Sequence, residues 1–233
     1  MTSPKSSPVT PLPLGEAVAC SVNVAGHSAE IAVAGKTIQS GHFKRPTAGA
    51  VRVEHKGLVG DLIVDQTRHG GPDQAVYLFS KEDCQWWSRT LSRSLGPGDF
   101  GENLTVEQWW PEPRIGDRLH FDEVTLEITF PRIPCATLAA RFGDQRFVKT
   151  FAAANRPGLY ARVLRPGRIC AGAKAQVVRA TEANPSASAL FRMWLETPRD
   201  RAVLAAALRA PIAQRARVAI ETWLAPTRTA NEI

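Results

Sequence analysis

Val124-Thr125-Leu126-Glu127-Ile128-Thr129-Phe130 runs directly into Pro131-Arg132-Ile133-Pro134-Cys135 and then Ala136-Thr137-Leu138-Ala139-Ala140-Arg141-Phe142. Apolar and polar residues alternate at period two through the first segment, which predicts a strand. Pro131 and Pro134 stop both strand and helix, so the chain turns there. The third segment reads as a short helix with Cys135 at its start. A thiol at a helix N-terminus feels the positive end of the helix dipole, and Arg132 adds a cation if its side chain folds back. Both favour the thiolate, the form that attacks electrophiles and binds soft metals. The same residues are also compatible with an inert buried cysteine, since free Cys is among the most buried residue types.

Short strands surround this turn. Residues 18–24, 30–34, 37–38, 51–53, 75–79, 119–121, 160–164 and 169–178 read as strands between turn signals. Ser80-Lys81-Glu82-Asp83 resembles a capping box opening a helix over 84–91, and 145–154 reads as another helix. Many short strands and few helices predict a mainly β fold with some α: a β-barrel domain over residues 17–180. Residues 1–16 are rich in Ser, Thr and Pro and read as a disordered leader. Beyond Asn184-Pro185 the pattern changes. Segments 188–195, 200–208 and 212–224 space apolar residues by three and four, as in Ile212, Ala216, Ala219, Ile220 and Trp223. They predict a small three-helix appendage over 185–226, suited to packing or partner contact.

At 233 residues the chain has room for one sizeable core and that appendage. No apolar run approaches a membrane span, and no export signal is evident, so a cytoplasmic protein is expected. Four dispersed cysteines, Cys20, Cys84, Cys135 and Cys170, form no C-x-x-C pair, which argues against a zinc ribbon, an iron–sulfur cluster or a disulfide framework. A net charge of +7 suits an anionic ligand. The basic residues are scattered, without a Lys/Arg run or interleaved aromatics, which argues against nucleic-acid binding.

Two further stretches could carry chemistry. Arg68-His69-Gly70-Gly71 sets a cation, an imidazole and two side-chain-free amides together, a pattern that can cradle a phosphate. It reads equally as a glycine turn with a structural histidine. Gly98-Asp99-Phe100-Gly101-Glu102-Asn103 brings a carboxamide able to pair with a heterocycle edge, or simply a polar loop leading into a strand. Lys44-Arg45 and Arg52 read more readily as a solvated face. Trp86, Trp87, Trp109 and Trp110 read as core or rim packing.

In this order, Gly41-His42-Phe43-Lys44-Arg45-Pro46, Gly60–Val76 with its His69-Gly70-Gly71-Pro72-Asp73, Phe100-Gly101-Glu102-Asn103-Leu104, and Pro131-Arg132-Ile133-Pro134-Cys135 resemble the MOSC-domain family. The resemblance is to its bacterial 6-N-hydroxylaminopurine-resistance branch (YiiM-like proteins), over residues 17–180 and on into the helical tail. It implies a β-barrel that binds the molybdenum cofactor (molybdopterin), with Cys135 as the thiolate ligand to the metal. It further implies Cys135 and His69 as catalytic residues, and Arg132, Arg68, Gly70, Gly71, Asp73, Gly101, Glu102 and Asn103 as cofactor-binding ones. The implied activity is reduction of small N-hydroxylated bases or related N-oxygenated compounds. No flavin or nicotinamide fingerprint is evident, so electrons would come from a separate reductase. The family pattern has two consecutive histidines before the glycine pair, whereas here the first is Arg68, which leaves any proton shuttling to His69. The alternative is a non-catalytic carrier of the cofactor, or of sulfur as a persulfide on Cys135. A homodimer is compatible with the helical tail.

Overall fold

The computed structural model describes residues 12–66 and 68–225. Its elements run β1 (Leu12–Val24), β2 (Ala29–Val33), β3 (Lys36–Ser40), β4 (Arg45–Pro46), β5 (Val51–Glu54), β6 (Gly57–Leu58), a 3-10 turn at Pro72–Gln74, β7 (Val76–Ser80), α1 (Lys81–Thr90), β8 (Leu104–Glu107) and β9 (Arg118–His120). There follow β10 (Thr125–Pro131), α2 (Ala136–Phe142), α3 (Phe147–Ala154), β11 (Leu159–Arg165), β12 (Gly167–Ile169), β13 (Ala173–Arg179), α4 (Ala187–Leu195), α5 (Arg201–Arg209) and α6 (Gln214–Leu224).

The strands close on themselves. β13, β9, β10, β11, β7, β8 and β1 hydrogen-bond in that order and β1 returns to β13, so the expected β-barrel is a seven-stranded one. Neighbours are antiparallel except β7 and β8. Closure removes exposed sheet edges from the ring. β1 can serve β13, β8 and β4 in turn because irregularities between Pro13 and Gly15 and between Ala19 and Ser21 bend it. Strands β2 and β3 form a separate hairpin, and β12, β5 and β6 a small second sheet.

Two boundaries differ from the sequence reading. Residues 12–16 are not leader but part of β1, paired with residues 176–179 of β13, while residues 1–11 and residue 226 lie outside the described residues. Segment 169–178 is not one strand, because Ala173 N–H closes a turn onto the Cys170 carbonyl and Gly172 takes a φ of 86° that side chains rarely adopt. The stretch before that turn pairs with β5, and the stretch after it enters the barrel.

The alternation in β10 predicts one solvated face, yet all of its residues are buried. The polar face is covered by chain from elsewhere. Thr129 Oγ1 donates to the Asp73 carbonyl at 2.6 Å, Glu127 is held by Arg118 and Arg162, and the Phe130 ring meets Trp194 of α4 edge-on at 4.8 Å. The C-terminal helices therefore pack on the barrel: Leu190, Leu204, Ile212 and Ile220 belong to the same apolar cluster as Leu119, Leu126 and Ile128. A second cluster, with Phe79, Trp87, Phe100, Phe147 and Phe151, fills the space between β7 and α1–α3. Trp87 and Trp110 are core residues, as expected, and Trp86 and Trp109 are partly buried around them. No helix among the described residues is long and apolar enough to cross a membrane.

Helix starts follow capping chemistry. Ser80 Oγ accepts from Asp83 N–H, Ser186 Oγ from Ala189 N–H, and the Asp200 carboxylate from Ala202 and Val203. α6 has no such residue of its own. Its Gln214 N–H donates instead to Asp73 Oδ2 at 2.7 Å, so the cap comes from the 3-10 turn far upstream.

The fully buried Asp117 carboxylate ties β9 to the start of the helical tail. It accepts from Trp110 Nε1 at 2.9 Å, Arg114 N–H at 2.9 Å and Ala180 N–H at 3.2 Å, and pairs with buried Arg179 at 3.3 Å. Asp117→Ala removes the buried carboxylate partner of Arg179 and the acceptor of the Trp110 indole N–H, and is expected to lower unfolding free energy by roughly 3–5 kcal/mol. Urea unfolding monitored by tryptophan fluorescence checks this: the midpoint falls with the slope unchanged.

Candidate functional site

The loops at one end of the barrel enclose a cavity of about 240 Å³. Its shape depends on backbone segments approaching closely. A Cβ on Gly41 would stand 1.9 Å from the Leu62 carbonyl oxygen, and one on Gly101 would stand 2.2 Å from His42 Nδ1. Only glycine fits at either position, and Gly101 also adopts a φ of 77°.

β10 delivers Arg132 and Cys135 to the cavity through the Pro131–Pro134 turn. Cys135 is the N-cap of α2 in extended conformation. Buried Arg132 folds back as its sequence position allows: one guanidinium nitrogen donates to the Ile133 carbonyl at 2.7 Å and the other to Cys135 Sγ at 3.4 Å. The same guanidinium lies over the Tyr77 ring, 5.9 Å from its centroid. Burial alone would push the Cys135 thiol up. The Arg132 charge and a hydrogen bond from His69 overcome it, and the thiol falls to about 5. Cys20 and Cys84, buried without such partners, are pushed up to about 11 and about 12. Cys135 is thus singled out by its surroundings.

Cys135, His69, Arg132, Arg68, Gly70, Gly101 and Asn103 all line this one cavity. Gly71, Asp73 and Glu102, expected to bind cofactor, do not. Gly71 is the N-cap of the 3-10 turn. Asp73 caps α6 and pairs with Arg162 at 2.9 Å, which turns its carboxylate toward the helical tail. Glu102 is fully buried under the Gly98–Phe100 loop, accepting from Gly98 N–H at 2.6 Å, Phe100 N–H at 3.1 Å and Thr105 Oγ1 at 2.8 Å. It braces the loop from behind.

Asn103 reaches the cavity with its carboxamide already engaged. Its oxygen accepts from Tyr77 N–H at 3.1 Å, and its nitrogen donates to Asp61 Oδ2 at 2.8 Å and the Asn23 carbonyl at 3.3 Å. A heterocycle edge therefore finds no free donor there. Asp61 also accepts from Ala25 N–H and forms a buried ion pair with Lys44. Lys44 is accordingly no solvated residue. Burial lowers its pKa, and the Asp61 carboxylate opposes that shift.

His42, Tyr77, Phe100, Tyr160 and the hairpin residues Val33 and Ile38 also face the cavity and were not singled out as site residues from sequence. His42 sits inside the Gly41–Pro46 motif, which is the signal that could have found it. Burial, followed by the charges of Arg132, Lys44, Arg141 and His69, holds its pKa well below the usual imidazole value. Behind the Arg68–Gly71 loop, Arg215 of α6 donates to the Arg68 carbonyl and to Gln74 Oε1, so the tail supports this wall.

Two titrations follow from these surroundings. In a Cys170→Ser background, which removes the exposed thiol, the Cys135 thiolate absorbance is expected to appear with a midpoint near pH 5. Arg132→Gln moves that midpoint up toward the ordinary thiol value of about 8.5. Burial raises Glu102 to about 7 against the opposing N–H donors. A raised carboxylate favours folding below its usual range and loses that contribution as pH rises to about 7. Glu102→Gln should flatten this part of the stability profile, measured as urea midpoint against pH.

The MOSC domain family model matches residues 65–176. The uncharacterized protein YflK of Bacillus subtilis (strain 168) is 39% identical over 145 residues, 62% of this chain and 66% of that protein. A Gibberella moniliformis protein named Reductase is 32% identical over 148 residues, 59% of this chain and 25% of that protein. Protein YiiM of Escherichia coli (strain K12) is 27% identical over 135 residues, 56% of this chain and 60% of that protein. The chain thus spans less than two thirds of each of these curated relatives. Among solved structures, YiiM from Geobacillus stearothermophilus superposes with a TM-score of 0.73 at 22% identity, over 90% of this chain and 100% of that one. That likeness is one of fold, and it extends from the barrel into the helical tail. The family-model match and the barrel agree: residues 65–176 form a MOSC domain, and the chain is similar to YflK and YiiM.

Proposed function

We propose that this chain is a molybdenum-cofactor-binding oxidoreductase that reduces N-hydroxylated bases of the 6-N-hydroxylaminopurine type, or related N-oxygenated compounds, with electrons from a separate reductase. MOSC domains are associated with molybdenum-cofactor binding, and one relative carries the name Reductase. The observation that carries the reading is the Cys135 thiol, held near 5 by Arg132 and His69 inside the cavity.

The residues fit such a group. Among the described residues no cluster of three or more His, Cys, Asp or Glu could hold a metal by itself. A metal that arrives with the sulfur ligands of its own pterin needs one soft donor from the protein, and a thiolate supplies it. Arg68 and the Gly70 backbone suit the phosphate, and Arg132 neutralises the thiolate and fixes its direction. The bound cofactor would supply the two-electron chemistry. His69, beside the thiol, would hold or deliver the proton that leaves with oxygen as water, and Arg68, always charged, would not. Tyr77, Tyr160 and Phe100 keep the inner wall apolar.

Metal and pterin analysis of anaerobically purified protein tests the reading. Molybdenum is expected on the wild type and absent from Cys135→Ala. Arg132→Met, which keeps the thiol but removes its partner, should weaken retention by about 10- to 100-fold. With a reduced viologen dye as donor, loaded wild type should convert 6-N-hydroxylaminopurine to adenine. Loaded protein without turnover would instead mark a carrier, and wild type without molybdenum would defeat both.

A further inference from the structure

We propose that His42 is a specificity-determining residue of this cavity, its Nε2 hydrogen-bonding the edge of a flat heterocyclic substrate held between apolar walls. The inference rests on the proposed function for the reaction and goes beyond it in naming how the substrate ring is read.

Of the buried side-chain nitrogen and oxygen atoms left without a hydrogen-bond partner among the described residues, His42 Nε2 alone belongs to a residue that lines the cavity. An orphaned buried polar atom is a cost that a ligand can remove, so its presence at a cavity wall points to an occupant. Its backbone N–H donates to Ser40 Oγ at 3.1 Å, and Gly101 packs against the ring, where a Cβ would stand 2.2 Å from Nδ1.

Four polar side chains of the lining are already engaged. Lys44 is paired with Asp61, the Asn103 carboxamide is used by Tyr77, Asp61 and Asn23, and the Tyr77 hydroxyl donates to the Pro157 carbonyl at 3.0 Å. Arg132 is turned to Ile133 and Cys135. Burial, followed by the cations around His42, disfavours its protonation, so it presents one N–H donor and one acceptor and reads hydrogen-bond pattern in place of charge. The mouth is lined by Ile38, Leu62 and Val64, which remain partly exposed, and by Val33. Apolar faces with one hydrogen-bonding edge describe a heteroaromatic ring.

The test compares two N-hydroxylated substrates on cofactor-loaded protein. 6-N-Hydroxylaminopurine carries ring nitrogens at its edge, and phenylhydroxylamine has the same N–OH group on a plain benzene ring. His42→Leu is expected to raise KM for the purine by roughly ten- to hundredfold with kcat little changed, and to leave KM for phenylhydroxylamine within about twofold. His42→Gln, which restores a polar edge, should recover part of the loss. Equal effects on both substrates, or none on either, at unchanged molybdenum content would overturn the proposal. An independent readout is the long-range nitrogen NMR signal of His42 Nε2, which adenine should shift in the wild type. If wild type reduces neither compound, the proposed function falls. His42 is then judged by the adenine titration alone: a shifted signal supports it and an unmoved one ends it.

Discussion

The carboxylate of Asp61 holds the site together. A buried charge is tolerated only when it is paired and its remaining lone pairs are hydrogen-bonded. Asp61 meets that demand by drawing in the Lys44 ammonium, the Asn103 carboxamide and the Ala25 amide from three separate segments. Each of those then fixes something else. Asn103 holds the Tyr77 backbone, Tyr77 underlies the Arg132 guanidinium, and Arg132 donates to the Cys135 sulfur. The position of the thiol is therefore set by a chain of polar satisfaction that begins with one aspartate.

Charge in the cavity is divided by role. Arg132 and His69 concentrate positive potential on the thiol, enough to overcome the burial that raises Cys20 and Cys84. Lys44 is paired with Asp61. Burial, and then the cations around it, hold His42 uncharged. A cavity built this way offers a charge-compensated thiolate at one point and a neutral hydrogen-bonding surface elsewhere.

Much of this was legible in the chain itself, for identifiable reasons. The Pro131–Pro134 turn was, because prolines and a period-two strand are local signals, and so were the three C-terminal helices with their apolar spacing. Asp73 was misread because its partners, Gln214 and Arg162, are distant in sequence and nothing local announces them. Glu102 was misread because its direction depends on a loop that curls over it to present Gly98 and Phe100 amides. The buried outer face of β10 was hidden for a related reason: polar Thr129 and Glu127 look solvated until helices and a remote turn are laid over them. The Gly41–Pro46 motif contains His42 without marking it out, and the ring's contact with Gly101 and its unmatched nitrogen are what set it apart.

The dependence of α6 on Asp73, and of the Arg68 carbonyl on Arg215, orders events as the chain is made. β1 emerges first and its main partner β13 much later, so the ring cannot shut until most of the chain has left the ribosome. The cavity wall formed by the Arg68–Gly71 loop waits longer still, for residues 214 and 215. Until then the thiol, the histidine and the glycines are present without this wall to frame them, and the cavity is complete only once α6 is in place.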